Sequence, residues 1–175
     1  GWTWQQYKEL RNALRIIQSS TLDENKKNKF VLIAYSLINL LNTSLFSMEY
    51  MESAIGKNVV NASVISPEIR IGELQELAEE AGAYQEICFK VVEGIEKQYK
   101  KEYLKCPKFD AMKQYVNNYY KRDSQIALIV PKAYYIDLLK SYMRIAQNIE
   151  IITPSRFDAK KYYDDDKPEI SDFEY

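Results

Sequence analysis

The sequence predicts a mostly α-helical protein with a small β-α-β unit near its C-terminus. Apolar residues recur at helical spacing over most of residues 1–122. Residues 126–130 are an unbroken apolar run closed by Pro131, which is typical of a buried parallel strand. The spacing becomes helical over residues 132–147, and a second short apolar segment follows at 149–152. These changes of period predict strand, helix, strand.

The first three helices are predicted from caps and apolar stripes. Thr3 suits the cap of a helix that runs to about residue 18. A second helix is expected over about residues 27–55, and Gly56 suits the position after its end. Ser66 followed by Pro67 predicts the start of a third helix that reaches about residue 105, with Gly82 as the position where it could bend. We expect the second and third helices to form a long antiparallel hairpin, with the first helix packed on its side.

Residues 30–48 carry no charge, and this segment approaches the length of a membrane span. Polar residues nevertheless recur along it at helical spacing and form one stripe, Ser36, Asn39, Thr43 and Ser47. Lipid-facing spans carry few such residues. We therefore expect a core helix with no membrane contact, whose polar stripe faces solvent or lines a cleft.

The C-terminal third is predicted to contain a fourth helix from Pro107 to about residue 121, then the β-α-β crossover. Two parallel strands do not make a stable sheet alone. We find no third strand, because the chain becomes acidic after Phe157. The sheet is therefore expected to be completed from outside the chain; the alternative is that both strands are short edges on the helical domain. The predicted division is a helical domain at 1–122, a β-α-β unit of a larger α/β domain at 123–158, and an acidic tail at 159–175.

The absence of histidine is the most informative feature of the composition. It excludes Ser-His-Asp and Cys-His nucleophile pairs, histidine bases and ordinary zinc sites. The glycines are isolated, so no glycine-rich phosphate loop is present. A net charge of −1 gives the whole surface no preference for polyanions. We predict no catalytic residue, no metal and no cofactor for this chain. The two cysteines give no disulfide framework, and no N-terminal signal pattern is seen, so we expect a cytoplasmic protein.

Polar residues follow both predicted strands. Lys132 comes after the first strand, and the second is followed by Thr153, Ser155 and Arg156. Because the carboxyl ends of parallel strands meet at one edge, where open sheets bind ligands, we expect these residues to lie together. Two cations, two hydroxyls and a helix N-terminus predict a phosphate or nucleic-acid backbone site. The same residue types are also common in ordinary turns.

The segment CPKFDAMKQYVNNYYKRDSQIALIVPKAYYIDLLKSYM resembles the opening of the second RecA-like lobe of superfamily-two helicases. In that lobe a helix that starts with Pro-Lys precedes a strand, and the next helix begins at a motif that contacts the nucleic-acid backbone. Pro107-Lys108, the strand at 126–130 and the helix from Lys132 follow this order, and the resemblance covers residues 107–156. It implies a parent ATP-driven translocase. The sequence lacks a P-loop, an Asp-Glu motif and an arginine-finger motif, so this chain would be a non-catalytic fragment or accessory domain.

Two other classes of function remain open. In the first, the chain is a helical module that binds a protein partner through the end of the predicted hairpin, residues 96–105, and through a tyrosine-rich surface, since the sequence has fifteen tyrosines. The helical part is also similar to the higher-eukaryote-and-prokaryote nucleotide-binding family, but that family's Arg-x4-6-His signature is impossible without histidine, so only an inactive version fits. Glu79, Glu80 and Glu86 suggest a carboxylate metal site, although a solvated helix face explains them more simply.

Overall fold

The computed structural model describes most of the chain: residues 1–61, 64–119, 125–157 and 170–172. At Tyr119 and at residues 170–172 the backbone alone is described. The predicted fold class is confirmed, because these residues are mainly helical and form a small parallel sheet near the C-terminus. The predicted domain boundary between residues 122 and 123, and most of the acidic tail, lie outside the described residues.

The chain divides into two compact units. The first unit is Gly1–Glu52 with Ile65–Lys105, and the second is Ser53–Val64 with Cys106–Tyr175. The helices up to Lys101 are α1 (Trp4–Gln18), α2 (Glu24–Thr43), α3 (Met48–Gly56), α4 (Pro67–Glu79) and α5 (Gln85–Lys101). The second unit also contains α6 (Pro107–Tyr119) and α7 (Tyr134–Tyr142), with strands β1 (Ile126–Ile129), β2 (Ile149–Ile152) and β3 (Ile170–Asp172).

Side chains cap the predicted helix starts. Thr3 Oγ1 accepts a hydrogen bond from the Gln6 amide N–H (3.2 Å), and Gln6 Oε1 accepts one from the Thr3 N–H (3.1 Å), which makes a capping box on α1. Ser66 Oγ accepts from the Ile69 N–H at the start of α4. The predicted starts of these two helices are therefore confirmed.

The segment predicted as one helix over residues 27–55 is two helices. α2 ends at Thr43, α3 begins at Met48, and the two are bent by 114°. The buried Ser44 hydroxyl donates to the Phe46 carbonyl (2.8 Å) and accepts from the Phe46 N–H (3.2 Å). Serine hydroxyls offer the backbone such local alternatives to helical hydrogen bonds. Ser47 Oγ then accepts from the Tyr50 N–H at the start of α3.

The segment predicted as the third helix is two helices, and they separate at Gly82, where the sequence indicated a bend. Residues Gly82–Tyr84 form a short 3-10 turn, and Gly82 has a φ of 56°, a left-handed conformation that glycine adopts without strain. The chain reverses there, so α4 and α5 pack as an antiparallel hairpin in which Gln75 Nε2 donates to Glu96 Oε2 (3.4 Å). α2 packs against both α4 and α5, and α1 packs against α2 and α5.

Among the described residues, no single helix is both long and apolar enough to cross a membrane. α2 and α3 reach that length and composition only when they are counted together, across their sharp bend. The polar stripe of α2 lies on its open side, since Ser36 and Asn39 are exposed and Thr43 is half-buried.

The sheet of the second unit has the order β2-β1-β3, and both pairings are parallel. β1 is central and its Ile126, Ala127 and Leu128 are buried, as its continuous apolar sequence predicts. β2 is an edge strand of mixed burial. The β-α-β arrangement of β1, α7 and β2 is thus present as predicted.

The third strand corrects the sequence analysis, which found none within this chain. β3 lies in the acidic tail and pairs with the free side of β1, so that Asp172 stands opposite Ile129. Three residues with a single isoleucine give no periodic signal. Their pairing depends instead on the unsatisfied backbone groups that β1 presents on that side.

Candidate functional site

The four residues predicted to bind an anion, Lys132, Thr153, Ser155 and Arg156, lie together. They line a cleft of about 520 Å³ at the carboxyl edge of β1 and β2, here called the edge cleft. Its remaining walls are Pro131, Ala133, Ile136 and Pro154. Ala133 and Ile136 were not predicted as part of the site, although their spacing of three residues at the start of a predicted helix was a usable signal.

Strand pairing brings the two halves of the edge cleft together. Ile129 and Ile152 are register partners, and the Val130 N–H donates to the Ile152 carbonyl (2.9 Å). The chain therefore leaves both strands at the same edge of the sheet. Residues 131–133 follow one strand and residues 153–156 follow the other.

The half that follows β2 is a short 3-10 turn at Pro154–Arg156. The Arg156 N–H donates to the Thr153 carbonyl (3.0 Å), and the Thr153 and Ser155 hydroxyls are hydrogen-bonded at 3.1 Å. Ser155 and Arg156 are exposed, while Thr153 is half-buried. Thr153 and the turn therefore present two hydroxyls and a guanidinium group within four residues.

The half that follows β1 leads into α7. Lys132 is exposed, and its carbonyl accepts from the Tyr135 N–H (3.1 Å). Ala133 and Ile136 line the edge cleft, so the first turn of α7 borders it. No side chain in the described part of the chain caps this helix end. The positive end of the helix dipole thus adds to the charge of Lys132.

Two acidic residues fall at the same edge by their backbone positions. Asp137 is in the first turn of α7 and is exposed. Asp172 ends β3 and is the register partner of Ile129. With the carboxylate of Asp137 counted against the charges of Lys132 and Arg156, these three exposed side chains keep a formal charge of only about +1. The edge can therefore hold a phosphate-sized anion through specific donors, but it has no strong net field of its own.

The candidate carboxylate site at Glu79, Glu80 and Glu86 is exposed. Glu80 Oε2 is paired with Lys26 Nζ at 3.0 Å. Nowhere in residues 1–61, 64–119, 125–157 or 170–172 do three or more His, Cys, Asp or Glu side chains group as a metal site would require.

A separate cluster around Glu52 was not predicted. Glu52 Oε1 accepts from the Tyr99 hydroxyl (3.1 Å) and the Glu68 N–H (2.8 Å), and its Oε2 accepts from Ser66 Oγ (2.6 Å). Burial and then the Glu52 charge raise the pKa of Tyr99 well above its usual range. The carboxylate joins α3, the start of α4 and the end of α5, which is a structural role.

Comparisons of the chain with models of protein families, with curated proteins and with solved structures found no match in any of the three.

Proposed function

We propose that this chain is a non-catalytic, accessory part of a nucleic-acid-dependent ATPase and that it contacts the nucleic-acid backbone at the edge cleft. The observation that carries the proposal is the convergence of Lys132 with Thr153, Ser155 and Arg156 in one cleft. Open parallel sheets bind ligands at this edge. Lysine, arginine, hydroxyls and helix N-termini are the groups that contact phosphates, whereas base recognition needs groups that reach the base edges.

The order of elements supports the ATPase part of the proposal. α6 begins at Pro107 and is followed by β1, α7 and β2, which is the order that the resemblance to a second RecA-like lobe implies. The sequence contains no P-loop, so ATP hydrolysis would belong to another part of the parent protein. Cys88 and Cys106 are not joined by a disulfide, which supports placement in the reducing cytoplasm.

Charge reversal of the edge cleft tests the proposal. We expect Lys132→Glu/Arg156→Glu to weaken binding of a fluorescein-labelled single-stranded oligonucleotide about tenfold or more at low salt, because two phosphate contacts are lost. The slope of log affinity against log salt should decrease in magnitude by about 1.4, at about 0.7 per contact. Fluorescence anisotropy over a series of salt concentrations measures both quantities.

Lys140→Glu/Arg144→Glu is the matched control. It reverses one exposed lysine and one exposed arginine in the same unit, at the far end of α7 from the edge cleft. Unchanged binding by the edge-cleft variant, or an equal loss in the control, would remove Lys132 and Arg156 from the binding site.

A helical protein-interaction module is the second candidate function. The favouring observation is the segment just after α5, within the predicted contact surface at residues 96–105. There Leu104 is 70% exposed and Tyr103 is 38% exposed. Large apolar side chains left in water mark interaction surfaces when they cluster. This surface shares no residue with the edge cleft, so the charge reversals above leave it intact.

A further inference from the structure

One exposed face of α1 carries a row of three cations headed by a tryptophan. Trp4, Lys8, Arg11 and Arg15 are spaced by four, three and four residues and are all exposed. At about 100° per residue they fall within an arc of about 60° on the helix surface. We call these four residues the α1 stripe. The opposite side of the helix is buried through Leu10, Ala13, Leu14 and Ile17.

The cations of the α1 stripe have no partners in the part of the chain that the structure describes: neither a salt bridge nor a side-chain hydrogen bond involves them. Other cations of the same unit are paired, as Lys26 is with Glu80 and Lys100 is with Glu96. The one acid of α1 is Glu9, which lines a groove toward α5 and accepts from Gln5 Nε2 (2.9 Å). Glu9 lies about 100° around the helix from Lys8, so the stripe is a local field of three positive charges.

Trp4 is the most exposed aromatic side chain of this unit in the described residues, at 72%. Its ring stacks on Tyr7, with centroids 6.2 Å apart. Trp2 differs: it is half-buried, and its indole N–H donates to the Ile38 carbonyl (3.0 Å). Trp4 thus has a large aromatic face open to solvent at the end of a row of cations.

We propose that the α1 stripe binds single-stranded nucleic acid, with a base stacked on Trp4 and phosphates held by Lys8, Arg11 and Arg15. An aromatic platform beside a positive track is the arrangement by which proteins bind single strands. The stripe runs about 16 Å along the helix axis, the length of a few nucleotides. This surface is on the first unit and does not depend on the edge cleft.

Single strands fit this surface better than the other polyanions do. A duplex keeps its base faces stacked, so it offers Trp4 nothing to stack on. An anionic membrane needs an open apolar helix face, but the apolar face of α1 is buried within its own unit. The outward face combines charge with one aromatic platform instead.

The test removes the three charges from the full 175-residue chain. We expect Lys8→Gln/Arg11→Gln/Arg15→Gln to weaken binding of an oligothymidine of about 12 nucleotides at least tenfold at low salt. The salt slope should decrease in magnitude by about 2, at about 0.7 per phosphate contact. The matched control is Lys90→Gln/Lys97→Gln/Lys101→Gln, which removes the same charge from the exposed side of α5 and should leave affinity within about twofold.

Trp4 has its own pair of variants. Trp4→Ala should weaken binding about tenfold, and Trp4→Phe should keep most of the affinity because a ring remains for stacking. Quenching of tryptophan fluorescence by the oligonucleotide should be lost in Trp4→Phe, since the remaining Trp2 is half-buried.

Equal losses of affinity from the α1 and α5 triple variants would overturn the inference. So would a duplex of the same length that binds as tightly as the single strand. A third contrary outcome is binding to phosphatidylserine vesicles that depends on the α1 stripe while oligonucleotide binding does not. An effect of Lys132→Glu/Arg156→Glu with none from the α1 triple variant would sink this inference and leave the edge cleft standing. An effect of the α1 triple variant with none from Lys132→Glu/Arg156→Glu would support this inference and remove the edge cleft as a binding site.

Discussion

At the level of single residues, Gly94 determines how closely α5 approaches α1. A Cβ atom at this position would lie 2.9 Å from Leu10 Cδ2, which is closer than real Cβ atoms come to their neighbours. Leu10 is itself buried. From the sequence alone, a glycine inside a helix indicates only a small loss of helix stability. Which side chain stands opposite it depends on helix packing.

We therefore expect Gly94→Ala to lower the free energy of unfolding by about 1 kcal/mol, because overpacking outweighs the gain in helix propensity. Gly72→Ala is the control, since a Cβ there meets no atom within 4 Å; it should raise stability by about 0.5–1 kcal/mol. Urea denaturation measures both. In a Leu10→Ala background Gly94→Ala should become stabilising, and equal stabilisation by both alanines in the natural background would contradict the steric argument.

The residues of the edge cleft show how far prediction from sequence reaches at this scale. Lys132 and Arg156 were recognised because each follows a strand, and parallel strands share an edge. The end of β3 at this edge was missed, because its place depends on the pairing of β3 with β1. A residue that reaches a site through long-range pairing leaves no local signal.

At the level of elements, β1 supports the sheet because it pairs on both sides. The Ile126 N–H donates to the Asn148 carbonyl (2.7 Å) and the Val130 N–H donates to the Ile152 carbonyl (2.9 Å), so the amides of even-numbered residues point toward β2. Successive backbone groups of a strand point to opposite sides. The amides of Ala127 and Ile129 therefore point toward β3.

Deletion of residues 158–175 should accordingly unpair one side of β1. We expect the amides of Ala127 and Ile129 to exchange hydrogen for deuterium at least about tenfold faster, while those of Ile126 and Val130 keep their protection. Exchange followed by NMR resolves these amides one by one. The two sets of amides control for each other, and unchanged protection at Ala127 and Ile129 would show that β3 does not pair there.

At the level of the whole molecule, the set of ionisable groups controls how stability depends on pH. The chain has no histidine, so no side chain has an ordinary pKa between 6 and 8. Burial raises the pKa of the Cys88 thiol and of the Tyr134 phenol, and burial together with Glu52 raises that of Tyr99. The pKa of the half-buried Tyr84 is lowered instead, because hydrogen bonds with Thr21 favour its ionised form.

We expect thermal stability to be flat between about pH 6 and 8 and to fall above about pH 9. In that alkaline range the unfolded chain loses the Cys88, Tyr99 and Tyr134 protons while the folded chain retains them, so rising pH favours unfolding. Thermal unfolding midpoints over this pH range measure the effect. Tyr99→Phe should lessen the alkaline decrease, and a transition centred between pH 6 and 8 would contradict the expectation.

The sequence by itself determined the helix starts at Thr3 and Ser66, the strands at 126 and 149, and the mostly helical class. Each depends on neighbours along the chain: a side chain that caps a nearby amide, or a period of apolar residues. Tertiary structure decided the sharp turn between α2 and α3, the full reversal of the chain at Gly82 where the sequence indicated only a bend, the strand β3, and the approach of α5 to Leu10. These features depend on which surfaces from distant parts of the chain pack together and on which backbone groups remain unpaired. The residues next to each feature in sequence do not determine those long-range contacts.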